Sequence, residues 1–259
     1  MHLRETFDSA AELYDRARPG YPSELYDDLQ AITGLVAGAR ALEIGPGTGQ
    51  ASVPMARRGF RVTGIELGAN LAKLAARKMA PYPGCQIRVG RFESLSAADG
   101  PFDLIYSATA FHWLDPDSRV AACRELLRPG GWLAVWSSWH CAGGSRQFFI
   151  DAQDCYEHWD PATPPGIRLT EPGELPDDPD GIAGAPGFEP AIHRRYYWEE
   201  SRTTESYLDV LRTYSGHIAL DDAAREGLFA CLAELIESRY GGRIRKAYLT
   251  GLTLVQRSA

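Results

Sequence analysis

From Arg40 to Ser138 the chain passes five times from a short apolar run into an amphipathic or turn-forming segment. The runs are RALEI (40–44), RVTGIEL (61–67), CQIRVGRF (85–92), FDLIYSA (102–108) and WLAVWSS (132–138). Helices are read between them at 50–59, closing on Gly59, and at 69–79, where apolar residues recur at spacings of three and four. Asp115 before Pro116 predicts an N-cap and first helical position, with the helix running to Leu127 and stopped by RPGG (128–131). Five strands with intervening helices in about 140 residues predict an open parallel sheet with right-handed crossovers. A doubly wound α/β fold is therefore expected.

Helices are predicted at 5–16 and 23–33, parted by the stiff RPGYP (18–22). Beyond the sheet core, residues 139–187 are rich in Pro, Gly and Asp and predict a long surface excursion. A strand at 191–200, helices at 204–215 and 221–240 and a final strand at 244–257 complete the chain. These raise the sheet to seven strands, mostly parallel, with an antiparallel edge strand.

In such a sheet the ligand lies beyond the carboxyl ends of the strands, against the first strand-to-helix turn. That turn is ALEIGPGTGQ (41–50), with Gly45, Gly47 and Gly49 at alternate positions. No phosphate loop with its lysine follows, and the third glycine comes one residue too early for a dinucleotide fingerprint. Glu43 would repel a pyrophosphate but suits an ammonium. Glu66 ends the second strand about twenty residues on, where a carboxylate takes ribose hydroxyls. A phosphate-free nucleoside carrying an ammonium fits both, and S-adenosylmethionine is such a molecule.

The segments LEIGPGTG, GIEL, VGRFESL, FDLIYSATAFHWLD and LLRPGG, in this order, resemble the motifs of class I S-adenosylmethionine-dependent methyltransferases. The likeness is to the type 11 family and its trans-aconitate-methyltransferase-like, small-molecule bacterial members, and extends to AAELYDRARPGYP and LRTYSGH. It implies a Rossmann-like methyltransferase domain over 1–259. Within it, 1–35 would cover the cofactor, 36–138 bind it, 139–243 form a lid or substrate-side insertion, and 244–259 supply the last strand. It implies that Gly45, Gly47 and Thr48 line the methionine and ribose side, with Glu66 on the ribose and Leu67 against adenine. Phe92 and Glu93 would reach the adenine, and Ser107 and Ala108 the methionine end. Tyr14 and Arg18 would close over the site, Arg18 either pairing with the cofactor carboxylate or capping RPGYP.

Phe111, His112 and Trp113 follow the fourth strand. His112 is the candidate general base, with a loop-positioning role as its alternative. Phe111 and Trp113 are expected to wall a substrate pocket rather than hold the sulfonium by cation–π contact. Tyr197, within Tyr196–Trp198, is a further candidate for lining it, with core packing an equal reading. No histidine spacing suggests a metal. Transfer of a methyl group to a small-molecule acceptor by in-line displacement needs positioning and water exclusion more than a catalytic triad.

A net charge of −7 argues against a general nucleic-acid grip. YSATAF also lacks the Asn/Asp-Pro-Pro-aromatic turn of exocyclic-amine methylases. A nucleic-acid methyltransferase of the same fold and a non-enzymatic S-adenosylmethionine-binding protein remain the alternatives. Five scattered cysteines predict reduced, mostly buried thiols in a cytoplasmic protein. No leader peptide or membrane-spanning run is read in the sequence.

Overall fold

The computed structural model describes residues 11–259. The first part of the helix expected at 5–16 lies outside them; α1 is Ala11–Ala17 and α2 is Ser23–Thr33, closed by Gly34 in the left-handed conformation. The alternating region then gives β1 (Arg40–Ile44), α3 (Ser52–Arg57), β2 (Arg61–Glu66), α4 (Ala69–Met79), β3 (Gln86–Val89) and β4 (Phe102–Ala108). After α5 (Arg119–Leu126) come β5 (Leu127–His140), α6 (Arg146–Trp159), β6 (Ile192–Thr203), α7 (Thr204–Leu211), α8 (Ser215–Ile218), α9 (Asp222–Tyr240) and β7 (Arg243–Gln256).

The seven strands form one sheet in the order β3-β2-β1-β4-β5-β7-β6. β3, β2, β1, β4 and β5 are parallel neighbours, so the reversal of direction along the order falls between β1 and β4. β7 runs antiparallel to β5: the Gly130 N–H donates to Arg257 O and the Arg257 N–H to Gly131 O. Alternation sorts the side chains to two faces. Leu42, Ile44, Ile105 and Leu133 enter one apolar cluster, while Ala41, Leu104, Tyr106 and Trp136 enter the other.

The chain divides into two compact units. A core unit holds Pro19–Ser138, Pro176–Tyr196 and Thr250–Ala259. A companion unit holds the chain up to Arg18 with Trp139–Leu175 and Tyr197–Leu249. The companion unit is built on α6 against α9, with Phe148, Phe149 and Ala152 in one cluster with Leu228, Leu232 and Ile236.

Four expectations need correction. The supposed excursion contains α6, whose buried Phe148, Phe149, Ala152 and Cys155 recur at helical spacing within a loop-like composition. The helix after β4 starts at Arg119 rather than after Asp115. Asp115 instead holds the preceding turn, accepting from the Ser118 hydroxyl (2.8 Å) and the Asp117 N–H (3.2 Å). RPGG is already strand, because β7 pairs with its backbone. Finally, the cysteines are not all reduced: Cys155 and Cys231 are joined by a disulfide, their Cα atoms brought to 5.8 Å by the packing of α6 on α9. Such a bond suits oxidising surroundings better than a reducing interior. Among the described residues no helix is long and apolar enough to cross a membrane.

Candidate functional site

The glycine turn follows β1 and is fixed by main chain. Gly45 has φ 68° and donates its N–H to Ile65 O at 3.0 Å. A Cβ on Gly45 would stand 2.6 Å from Ala110 Cβ, so the turn touches the segment after β4. Gly47 has φ 56°, a conformation that side chains rarely adopt. Thr48 is fully buried and its hydroxyl accepts from Gln50 Nε2 at 2.7 Å.

Glu66 closes the turn from the side. It ends β2, next to β1 in the sheet, and is only 7% exposed. One carboxylate oxygen accepts the Gly47 N–H at 2.8 Å and the other the Gly68 N–H at 2.9 Å. An anionic acceptor is thereby held at the strand end beside the glycines. Leu67 is half-buried beside it and Glu93 is exposed. The Phe92 ring is buried in the apolar cluster, which leaves its main chain as the part able to meet a ligand. Ser107 ties the ends of β1 and β4 together by donating to Ile44 O at 3.0 Å, and Ala108 next to it is half-buried.

Glu43 lies beneath the turn, 1% exposed. One oxygen accepts from the Ser52 hydroxyl and from the Tyr106 hydroxyl, the latter at 2.9 Å. The other oxygen is buried without a partner. Burial, reinforced by the Glu66 charge and opposed by the two hydroxyls, raises the carboxyl to about 7. A buried acceptor with spare capacity is what an ammonium donor would satisfy.

The turn Phe111–Trp113 carries the third group of candidates. Phe111 is fully buried in the apolar cluster, with the Arg119 guanidinium 4.7 Å from its ring centroid. Arg119 donates to Phe111 O at 2.8 Å and pairs with Asp180 at 3.3 Å, both side chains buried. The acid-rich segment after Pro176 is thus latched to the turn. His112 projects from it, its ring 4.7 Å from that of half-buried Trp113. His112 is exposed, yet the packed turn around it partly desolvates the ring, and this, with Arg119, outweighs Asp180 and lowers the His112 pKa, favouring the neutral imidazole a base requires.

Two contributors escaped the sequence reading. Thr109, just past β4, has φ 56°, costly for a β-branched residue. Its N–H donates to Trp136 O at 2.7 Å, and its hydroxyl shares a hydrogen bond with the Tyr21 hydroxyl at 3.1 Å. Arg119 was likewise missed, since its partner Asp180 lies 61 residues away.

Tyr14, Arg18 and Tyr197 belong to the companion unit. Arg18 donates to the Thr213 hydroxyl (2.8 Å) and carbonyl (2.9 Å), with the Tyr14 ring 5.0 Å away. Tyr197 is exposed and donates to Glu199 at 2.7 Å. Among the described residues no three His, Cys, Asp or Glu side chains gather to hold a metal.

Residues 42–135 match the model of a family described as a methyltransferase domain. An uncharacterized methyltransferase of Mycobacterium tuberculosis (strain ATCC 25618 / H37Rv) is 31% identical over 134 residues, covering 51% of this chain and 52% of the relative. A trans-aconitate 2-methyltransferase of Deinococcus radiodurans is 37% identical over 109 residues, 42% of this chain and 41% of its own. The chain thus spans about half the length of the curated relatives it matches. A solved chain from Anaeromyxobacter dehalogenans, a proposed type II methyltransferase, is 24% identical with a TM-score of 0.60, covering 93% of this chain and 97% of that one. At that identity the likeness shows the fold.

Proposed function

We propose that the core of this chain, in which residues 42–135 match a methyltransferase-domain model, is a class I S-adenosylmethionine-dependent methyltransferase of the type 11 group that transfers a methyl group from S-adenosylmethionine to a small-molecule acceptor by in-line displacement. The observation that carries the reading is the pair of main-chain bonds holding the Glu66 carboxylate beside Gly47. They keep a buried acceptor where a nucleoside sugar would present two hydroxyls.

The residues present fit the cofactor. Gly45 and Gly47 allow close approach of backbone, Glu66 would hold the ribose, Leu67 and the Phe92 main chain the base, and the spare oxygen of Glu43 the ammonium. When bound, S-adenosylmethionine supplies a methyl group already activated on a sulfonium. The protein's part is then to position and desolvate. Ser107, by tying Ile44 to β4, and Thr109, held by Trp136 and Tyr21, set the floor on which an acceptor would rest. His112 would take a proton from an acceptor that must lose one, and a carboxylate acceptor would need no such help.

The small-molecule assignment is supported by the net charge of −7 and by the name of the Deinococcus radiodurans relative. Calorimetry with S-adenosylhomocysteine, NADH and ATP in turn tests the site, and only the first should bind. A labelled-methyl screen against pooled metabolites then tests transfer, with mass spectrometry fixing the acceptor atom. Absence of both heat and thermal shift with S-adenosylmethionine and S-adenosylhomocysteine would reject the reading.

A further inference from the structure

The sheet ends on two strands with unlike edges. At one end β3 is only 4 residues long; at the other β6 runs for 12 residues, Ile192–Thr203. β7 lies on one side of β6, and among the described residues no strand lies on the other. The outward N–H and C=O groups of such an edge are a template for another strand, which proteins usually blunt with proline, a bulge or scattered charge. β6 reads IHRRYYWEESRT: it has no proline, and its charges are ordered rather than scattered.

That order makes the strand complementary to itself. Arg195 and Arg194 stand two and three positions before Tyr197, and Glu199 and Glu200 two and three positions after it. Two copies running antiparallel about a two-fold axis at Tyr197 bring Arg194 opposite Glu200 and Arg195 opposite Glu199, and the symmetry repeats both pairs. Tyr197 then meets its own copy, and Tyr196 meets Trp198, which are favourable cross-strand aromatic pairs. The axis must stand perpendicular to the sheet for each face to continue, so the next symmetric registers are centred on Tyr196 and Trp198. The first moves both arginines from glutamate onto aromatic rings; the second brings Arg194 opposite Arg202. Of the three, only the Tyr197 register matches acid to base throughout.

We propose that two copies of this chain join through β6, antiparallel about an axis at Tyr197, so that one sheet runs across the pair. The main-chain ladder supplies the affinity and the charges set the register. Arg194, Arg195, Tyr197 and Glu199 are exposed and Glu200 is half-buried. Within its own chain Arg194 has Asp28 at 3.9 Å, Arg195 has Asp177 at 2.5 Å, Glu199 has Arg245 at 3.5 Å and Glu200 has Arg202 at 2.5 Å. Surface pairs of this kind hold weakly and can be shared or remade when a strand docks. The Tyr197 residue, 49% exposed in the single chain, gains cover from its copy. The inference rests on β6 and stands whether or not Glu66 holds a nucleoside.

The test uses the full chain in sedimentation velocity across a range of concentrations, which should show a monomer–dimer equilibrium. Arg194→Glu/Arg195→Glu sets glutamate opposite glutamate, and Glu199→Arg/Glu200→Arg sets arginine opposite arginine. Each variant alone should self-associate about tenfold or more weakly than the parent. Mixed in equal amounts the two should associate again, since every glutamate then faces an arginine; loss of an ion pair within the chain cannot produce that rescue. Circular dichroism checks that both are folded. If either is not, Tyr197→Cys takes their place: at the axis the new thiol lies opposite its own copy, and mild oxidation should give a disulfide-linked dimer. Val36→Cys, at a residue 72% exposed elsewhere on the chain, should link far more slowly. The proposal falls if the parent stays monomeric, if the mixed variants stay apart, or if Tyr197→Cys links no faster than Val36→Cys.

Discussion

The Glu66 carboxylate accepts the Gly47 N–H at 2.8 Å, joining the end of β2 to the turn that follows β1. Because the same side chain also accepts from Gly68, removing it strands two main-chain donors and any sugar hydroxyls it would hold. Glu66→Ala should lower affinity for S-adenosylhomocysteine by roughly ten- to a hundredfold, from the worth of hydrogen bonds to a charged acceptor. Stability should fall by about 1–3 kcal/mol at the same time. Calorimetry at a temperature where circular dichroism shows the variant folded separates the two; unchanged affinity would remove Glu66 from the site.

Glu43 predicts an opposition between stability and binding. Its ordinary value is 4.5, and burial raises it to about 7 in the fold. A raised carboxyl means that the folded chain keeps a proton the unfolded chain releases. The stability linked to this group is therefore complete below pH 4.5 and is lost as pH rises through about 7. Glu43→Gln cannot ionise, so it should match the parent at pH 5 and exceed it at pH 8 by roughly 1–3 kcal/mol in urea denaturation. S-adenosylhomocysteine should meanwhile bind the variant more weakly, through loss of the charged acceptor. A variant less stable than the parent at pH 8 would refute the burial argument.

Glu66 and Gly47 are 19 residues apart; the sequence placed each at the carboxyl end of a strand, on the crevice side of the sheet, but gave no sign of the hydrogen bond that joins them. The extents of α4 and β4 were legible, since their apolar spacing matches the observed elements residue for residue. What stayed hidden depends on tertiary closure. The amphipathic stripe of α6 is embedded between Gly- and Pro-rich turns, and its packing partner α9 begins more than sixty residues later. The left-handed Thr109 has no local signature, since threonine disfavours that conformation and only the bonds to Trp136 and Tyr21 hold it there. Local composition likewise gives no hint that Phe92 and Phe111 are buried as core.

The Arg119–Asp180 pair offers a test of His112. Both side chains are buried, so Arg119→Met leaves an unpaired carboxyl and should cost about 3–5 kcal/mol. Asp180→Asn removes the negative charge that holds the His112 pKa up, and so should lower it further. An NMR titration of the His112 ring reads that movement directly. If His112 is the base, the limb of the kcat profile should move to lower pH with it in Asp180→Asn. A profile that stays put while the ring titration shifts assigns His112 to loop positioning.

The bond between Cys155 on α6 and Cys231 on α9 spans 76 residues within the companion unit. Closing a loop of that length restricts the unfolded chain and typically contributes about 2–4 kcal/mol. Thiol titration of the unreduced, denatured chain should find three free cysteines, namely Cys85, Cys123 and Cys141. After reduction, or in Cys155→Ser/Cys231→Ser, amides of α6 and α9 should exchange with solvent faster, because these helices lose their tether. Amides of β1 and β4 lie in the core unit, which contains neither cysteine, and should keep their protection. Five titrating thiols before reduction would remove the bond, and equal acceleration in β1 and α9 would show that the two units do not unfold separately.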